Sequence, residues 1–247
     1  METSIIIRTK NEDRWLGECL KRLSEQTYKN FEIVFVDSGS TDKILEIIKG
    51  SADRSVFPYE IKLLHIKPED FSYPYALNYG CGQASAKKYF VFLSGHSLPV
   101  SKTWLEDGIR NFKSFEKLIG VYGFVWALPD GTLWEKFIFN KTICTVRNIF
   151  KKQATVNKVG MGVLGFTNAI VRRDLWHQRR FNEAYGLGGE DGEWADYWFK
   201  KGYQAVRDIK FSVYHSHRLG YKELKAQWKY WASLYKPHPF QLPDFRK

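Results

Sequence analysis

Residues 4–43 read SIIIRTKNEDRWLGECLKRLSEQTYKNFEIVFVDSGSTDK, and the alternation inside this stretch decides the fold class. Ser4–Ile7 and Glu32–Val36 are apolar runs of strand length. Each runs into polar residues: Arg8-Thr9-Lys10-Asn11-Glu12 after the first, Asp37-Ser38-Gly39-Ser40-Thr41-Asp42 after the second. Between them Trp15, Cys19, Leu20 and Leu23 recur at helical spacing, which predicts a helix over residues 14–25 capped by Asn11 or Asp13. Thr41–Lys49 repeats the pattern, with Ile44, Leu45, Ile47 and Ile48 as its buried side and Ser40 or Thr41 as cap. Strand, helix, strand, helix is the start of a parallel sheet covered by helices.

Outward from this stretch, Ile61–Ile66 reads as a third strand and Ala76–Ala86 as a helix. The strand Tyr89–Leu93 then enters Ser94-Gly95-His96-Ser97. Open α/β sheets bind ligands at the carboxyl ends of their strands, so the three polar clusters are expected to line one crevice. Further strands are expected at Gly120–Ala127 and Gly165–Arg172, a helix at Glu190–Lys201 ended by Gly202, and a mobile loop over residues 140–162. The expected architecture is a mostly parallel, Rossmann-like α/β sheet flanked by helices, in a single domain of two abutting halves. The halves are residues 1–110 and 111–220, followed by a basic, aromatic tail over 221–247.

At 247 residues and 44% hydrophobic composition the chain can bury a full core. The formal net charge of +11 implies an anionic partner, a nucleotide diphosphate or an acidic lipid surface. Nucleic acid is not expected, because no basic helical repeat, zinc-finger spacing or aromatic RNA-binding strand is present. Cys19, Cys81 and Cys144 are odd in number and far apart, which fits neither a disulfide framework nor a paired-cysteine metal site and points to a reducing compartment. No apolar stretch is long enough to cross a bilayer, and the chain opens on a strand instead of a leader, so a cytoplasmic protein is expected. In the tail, Lys222, Lys225, Lys229 and Lys236 interleave with Trp228, Tyr230, Trp231 and Tyr235. That pattern suits either peripheral contact with the inner face of an anionic membrane or an amphipathic helix docked on the domain.

Asp37 stands where a buried strand emerges, ahead of small residues that let a ligand approach the backbone. It could accept a ribose hydroxyl or a base imide proton, or it could serve the turn. Glu190 and Asp191 follow Gly188-Gly189 at a helix start, either as ionised acids beside a ligand or as partners for free N–H groups. Trp194 and Trp198, four residues apart on that helix, are expected to pack inward.

Together, residues 4–43, Ala76-Leu77-Asn78-Tyr79-Gly80, the run Gly165–Arg173 and Gly189-Glu-Asp-Gly-Glu-Trp194 resemble the family 2 glycosyltransferases of the GT-A fold. The resemblance covers most of residues 3–218 and is nearest to the rhamnosyltransferase-like branch of bacterial surface-polysaccharide enzymes. It implies inverting transfer of a sugar from a nucleotide-diphosphate donor to a hydroxyl of a saccharide or polyprenyl-linked acceptor. Asp191 would be the base and Glu190 its positioning partner. Thr9, Asn11, Glu12, Asp37, Ser38 and Asn78 would hold the nucleotide, and Lys10, Asn168, Arg172 and Trp194 would contact phosphate or acceptor. Relatives carry Asp-x-Asp where this chain has Ser94-Gly95-His96. The run Val213-Tyr214-His215-Ser216-His217-Arg218 is similar to the distant-histidine motif of polypeptide N-acetylgalactosaminyltransferases. His96 with His215 or His217 is therefore expected to hold a divalent metal, manganese more readily than magnesium. In the metal-independent alternative Lys10, Lys102, Arg172 or Arg173 neutralises the phosphates. Two rivals share these features: a nucleotide-sugar-binding protein without catalysis, and a nucleotidyltransferase, which would need a glycine-rich loop that Arg8–Glu12 lacks.

Overall fold

A computed structural model describes residues 1–53, 57–147, 152–186 and 188–234. Its strands are β1 (Thr3–Thr9), β2 (Phe31–Asp37), β3 (Ile61–His65), β4 (Tyr89–Ser94), β5 (Leu98–Pro99), β6 (Leu118–Tyr122), β7 (Val125–Trp126), β8 (Gln153–Val156), β9 (Asn168–Arg172), β10 (Gln204–Asp208) and β11 (Val213–Tyr214). The α-helices are α1 (Asp13–Ser24), α2 (Ile44–Ser51), α3 (Tyr73–Gln83), α4 (Trp104–Ser114), α5 (Leu133–Ile138), α6 (Lys141–Arg147), α7 (Arg173–Gln178), α8 (Glu190–Phe199) and α9 (Tyr221–Leu234).

Eight strands form the main sheet in the order β3-β2-β1-β4-β9-β6-β10-β8. The first four are parallel, β9 runs antiparallel between β4 and β6, and β8 closes the far edge antiparallel to β10. A small sheet, β5-β11-β7, stands beside it.

β1 is central and buried on both faces. Ile5 and Ile7 pack with Leu16, Cys19, Leu20 and Leu23 of α1, while Ile6 packs with Ala76 and Leu77 of α3. Each fully buried isoleucine contributes about 1.5–3 kcal/mol to that sandwich. Gly80 lets α3 lie close to the sheet, since a Cβ there would fall 2.7 Å from Ile6 Cγ2 and 2.9 Å from Val36 Cγ2.

Several local expectations need correction. Neither Asn11 nor Asp13 caps α1: Glu12 holds the cap position without a side-chain bond, and Asn11 and Asp13 reach across to the loop after β2. α2 starts three residues late, at Ile44, whose N–H is taken by Asp42 Oδ1 at 3.2 Å instead of by Ser40 or Thr41. The expected loop over 140–162 contains α6 and the sheet strand β8. Short polar runs such as Gln153–Val156 carry no periodicity of their own and become strands only when β10 supplies their hydrogen bonds. α4 was not foreseen, although Trp104, Leu105 and Ile109 of it are core residues. Cys144 falls within α6, and Tyr235 and Lys236 lie outside the described residues.

Candidate functional site

The carboxyl ends of β1, β2 and β4 do form one crevice, and the first two loops are latched together. Asn11 N–H donates to Ser40 Oγ at 3.0 Å, and Thr41 N–H donates to Asn11 Oδ1 at 2.8 Å. These bonds hold Asn11 at a φ of 53°, a left-handed conformation that asparagine tolerates. The buried Asp37 carboxylate accepts Gly39 N–H at 3.1 Å and Ser40 N–H at 3.2 Å, so its turn role is realised. Ser38 N–H bonds Thr9 O at 3.2 Å. Thr9 Oγ1 is buried without a hydrogen-bond partner among the described residues.

The third strand end is joined by residues more than a hundred positions away. β11 pairs antiparallel with β5, Tyr214 opposite Leu98, and this register sets His215 against Ser97: Ser97 Oγ and His215 Nδ1 are 3.1 Å apart. His96 stacks on His215 with ring centroids 4.3 Å apart, and His217 stands edge-on to both. His215 Nε2 and His217 Nε2 are 3.1 Å apart, and one ring nitrogen from each of the three lies within 4.8 Å of the others. Burial, then the neighbouring His96 and His217, holds His215 well below the usual histidine range. Loss of water around its ring, then His96, lowers His217 as well. Both are therefore neutral bases at neutral pH, the form that ligates metals.

Glu12, read from the sequence as a nucleotide contact, instead pairs with His96: its Oε1 lies 3.0 Å from His96 Nδ1. Gly95 allows that approach, because a Cβ there would fall 2.5 Å from Glu12 Oε2. From the other side Glu135 Oε1 accepts His217 N–H at 2.9 Å and Leu219 N–H at 3.2 Å, fixing the loop after β11. Sequence reasoning missed this buried acid, although Thr132-x-x-Glu135 is a capping-box signature and forms one at the start of α5. A cavity of about 310 Å³ opens beside the cluster, lined among others by Lys10, Asn11, Arg14, His96, His217 and Arg218.

A second group of polar residues surrounds the start of α8. Gly188 and Gly189 turn the chain with φ of 143° and 92° and deliver Glu190 and Asp191 to the helix N-terminus. Asp191 Oδ1 accepts Gly192 N–H at 2.7 Å. Glu190 is buried and pushed up to about 7, first by burial and next by the Asp191 charge, while Arg8 pulls the other way. Because strand side chains alternate, Arg8 turns toward Glu190 while its neighbour Thr9 turns toward Gly95 and Glu12. Arg8 lies over the Tyr73 ring at 4.6 Å, and its buried Nη1 makes no hydrogen bond among the described residues. Nothing in the strand pattern marked Arg8 beforehand.

Three residues expected at the site stand elsewhere. Asn78 spends its whole amide on the protein: it donates to Phe181 O and Glu183 Oε1, both at 2.9 Å, and accepts from Trp176 Nε1 at 3.1 Å and Phe181 N–H at 3.2 Å. Arg172 pairs in register with Tyr89, at the amino end of β4, and forms an ion pair with Asp174. That is five strand residues, about 16 Å, from Ser94. Trp194 is fully buried among Phe181 and Trp198 and donates to Arg179 O at 2.8 Å. The inward packing expected of both tryptophans is observed, which removes Trp194 as a ligand contact. Asn168 is buried at the carboxyl end of β4, donating to Phe211 O at 2.6 Å. Lys10 is exposed on the cavity rim.

Comparison with known proteins now places the chain. The model of Glycosyl transferase family 2 matches residues 4–179, so the chain belongs to that family. It is 32% identical over 133 residues, 51% of this chain and 40% of the relative, to a Methanococcus voltae dolichyl N-acetyl-alpha-D-glucosaminyl phosphate 3-beta-D-2,3-diacetamido-2,3-dideoxy-beta-D-glucuronosyltransferase. Glycosyltransferase GlyA of Streptococcus pneumoniae is 26% identical over 206 residues, 76% of this chain and 27% of the relative. The chain thus spans less than half the length of these curated relatives. Among solved structures, S. aureus TarS 1-349 superposes with a TM-score of 0.62 at 19% identity, covering 87% of this chain and 60% of that one. The Pyrobaculum calidifontis mannosyltransferase PcManGT, in complex with GDP-Man and Mn2+, gives 0.65 at 18% identity, covering 91% and 59%. GalNAc-T7 with UDP, GalNAc and Mn2+ gives 0.65 at 15% identity, covering 88% and 44%. The fold is GT-A.

Proposed function

We propose that this protein transfers a sugar from a nucleotide-diphosphate donor to a hydroxyl of a saccharide or lipid-linked saccharide, with inversion, in building a cell-surface polysaccharide. One observation carries the reading: a cluster of three imidazoles and a pair of adjacent acids, one of them buried, both belong to the carboxyl edge of one sheet, the place where such folds bind ligands. The amino-terminal half holds the nucleotide through Thr9, Asn11, Ser38 and Asp37, with Lys10 at the phosphates. Residues 111–220 supply the acceptor side. The molecules bound by the neighbours, UDP-GlcNAc in one TarS complex and GDP-Man in PcManGT, support a nucleotide sugar as donor. The dolichyl-phosphate sugar named for the M. voltae relative supports a lipid-linked acceptor.

Inverting transfer needs a base to take the acceptor proton and a positive environment for the departing diphosphate. Asp191 is the base: the α8 N-terminus favours its ionised form. Glu190, raised to about 7, shares a proton equilibrium with it and keeps the pair from carrying two full charges near neutral pH. Arg8 limits that rise from beneath. His96, His215 and His217 would hold a divalent cation, which when bound neutralises charge growing on the diphosphate.

No helix of the described residues is long and apolar enough to cross a membrane. Peripheral contact is supported by Leu133, Trp134 and Phe137 of α5, exposed at 84%, 50% and 70%, with Tyr221 of α9 stacked near Trp134 at 5.0 Å. Lys136, Lys222 and Lys225 stand exposed on the same two helices, which suits the cytoplasmic face of an anionic bilayer. The test is nucleotide release from UDP, GDP, dTDP and CMP sugars, with lipid-linked saccharides as acceptors. Donor-dependent release that acceptor accelerates supports the transferase. Tight nucleotide binding without release under any pairing would make the protein a binding module.

A further inference from the structure

We propose that His96, His215 and His217 are a preorganised site for Zn2+, filled without nucleotide, in which Glu12 and Ser97 orient the imidazoles. The proposal concerns the same crevice as the transferase reading, but its test involves neither donor nor acceptor.

The donor set comes first. Three imidazoles and no carboxylate make up the cluster. Magnesium prefers oxygen ligands, and manganese stands lowest among the divalent first-row ions for nitrogen donors, well below zinc. A site built to use manganese through the diphosphate would be expected to contain at least one carboxylate ligand. These residues therefore suit zinc better than the manganese expected from the sequence.

Geometry agrees with the chemistry. Two nitrogens each about 2.0–2.1 Å from one ion, at the angles of four- to six-coordinate sites, stand about 3.0–3.4 Å apart. His215 Nε2 and His217 Nε2 are 3.1 Å apart. The two rings share a hydrogen bond at this separation, and a cation between the nitrogens would take the place of its proton without moving either ring far. Three protein nitrogens also leave coordination open for an oxygen ligand, as catalytic zinc sites do.

The surrounding contacts fix which nitrogen is offered. The Glu12 carboxylate only accepts, so the proton of His96 sits on Nδ1, 3.0 Å away, and the lone pair is on Nε2. That Nε2 is buried and has no hydrogen-bond partner among the described residues. A buried imidazole nitrogen left with a free lone pair is costly unless something binds it. On His215, Ser97 engages Nδ1 and leaves Nε2 facing His217. A partner on the far ring nitrogen is the usual support of a metal-ligating histidine, and its loss typically costs 10–100-fold in affinity. Gly95 belongs to the same device, since any side chain there displaces Glu12.

The experiment uses the full chain, stripped with a chelator, and titrates Zn2+, Co2+, Mn2+ and Mg2+ separately by calorimetry without nucleotide, following Co2+ also by its visible absorption. The expected result is one Zn2+ per chain, bound at least about 100-fold tighter than Mn2+ in line with the donor set, with Co2+ bands of nitrogen coordination. His96→Ala and the rim variant His217→Ala should abolish tight binding, while His177→Ala should not. Glu12→Ala and Gly95→Ala should keep the stoichiometry but weaken Zn2+ about 10–100-fold, and Glu12→Gln, which still offers an acceptor oxygen, should recover much of the loss. Failure of wild type to bind Zn2+, or Mn2+ binding as tightly, would overturn the proposal. So would Zn2+ affinity indifferent to His217→Ala, a rim variant whose fold is checked by its melting curve without metal. Failure of the zinc titration overturns this proposal alone, and donor-dependent nucleotide release by the wild type tests the transferase reading separately.

Discussion

The crevice has two poles of opposite chemistry. At the nitrogen pole, His96, His215 and His217 are crowded and backed by Glu12, Ser97 and Glu135. At the carboxylate pole, Glu190 and Asp191 crowd two acids at a helix start above the half-buried Arg8. Burial and like neighbours lower the proton affinity of His215 and His217 and raise that of Glu190, because in both cases they disfavour the charged form. One pole is thereby ready to hold a cation, and the other to take up a proton.

Each pole can be perturbed alone. Asp191→Asn should cut sugar transfer about 10²–10⁴-fold, the range for losing a general base, while nucleotide affinity and metal affinity stay unchanged. Equal turnover in variant and parent would remove Asp191 as base. Asn78→Ala should act on the carboxylate pole through stability: Trp176 Nε1 and Phe181 N–H lose their acceptor just ahead of α8. Leaving two buried donors unsatisfied costs about 2–4 kcal/mol, read as a lower melting temperature with nucleotide affinity retained. A selective loss of nucleotide affinity would return Asn78 to the ligand set.

A smaller effect is expected from pH. Glu190 in the folded protein keeps its proton up to about 7, whereas the unfolded chain releases it near the ordinary glutamate value of 4.5. The folded state therefore binds more protons across that window, and stability falls as pH rises from about 4.5 to 7 before this contribution levels off. Glu190→Gln should flatten the decline in melting temperature over the same window and shift the acidic limb of the pH–rate profile. An unchanged melting profile would place its proton loss outside the window. Smallest of all, Phe137→Ser should reduce sedimentation with anionic vesicles several-fold and leave turnover on soluble acceptors unaltered. Equal sedimentation would exclude α5 as the contact.

The two poles also differ in how visible they were beforehand. The acids are adjacent in the chain, follow a glycine pair and open a helix, so local pattern alone pointed to them. His96 and His215 were paired only through a motif resemblance, and the acid that supports His96 was read as a nucleotide contact. Glu12 sits beside Asn11 in a loop whose outward direction no periodicity reveals. Arg172 failed for a related reason: its strand was recognised, but not that it runs antiparallel to β4, which carries the arginine to the opposite edge of the sheet. Asn78 lies in a run that resembles the family pattern, yet its amide and Gly80 serve helix packing.

Local pattern determined the strand–helix alternation of residues 3–94, the burial of β1 and the place of the crevice, because period and polarity are properties of neighbouring residues. Which side chains face one another in that crevice was decided by strand order, direction and register. The pairing of Tyr214 with Leu98, not any feature near His96, brings three histidines together and sets Glu12 behind one of them.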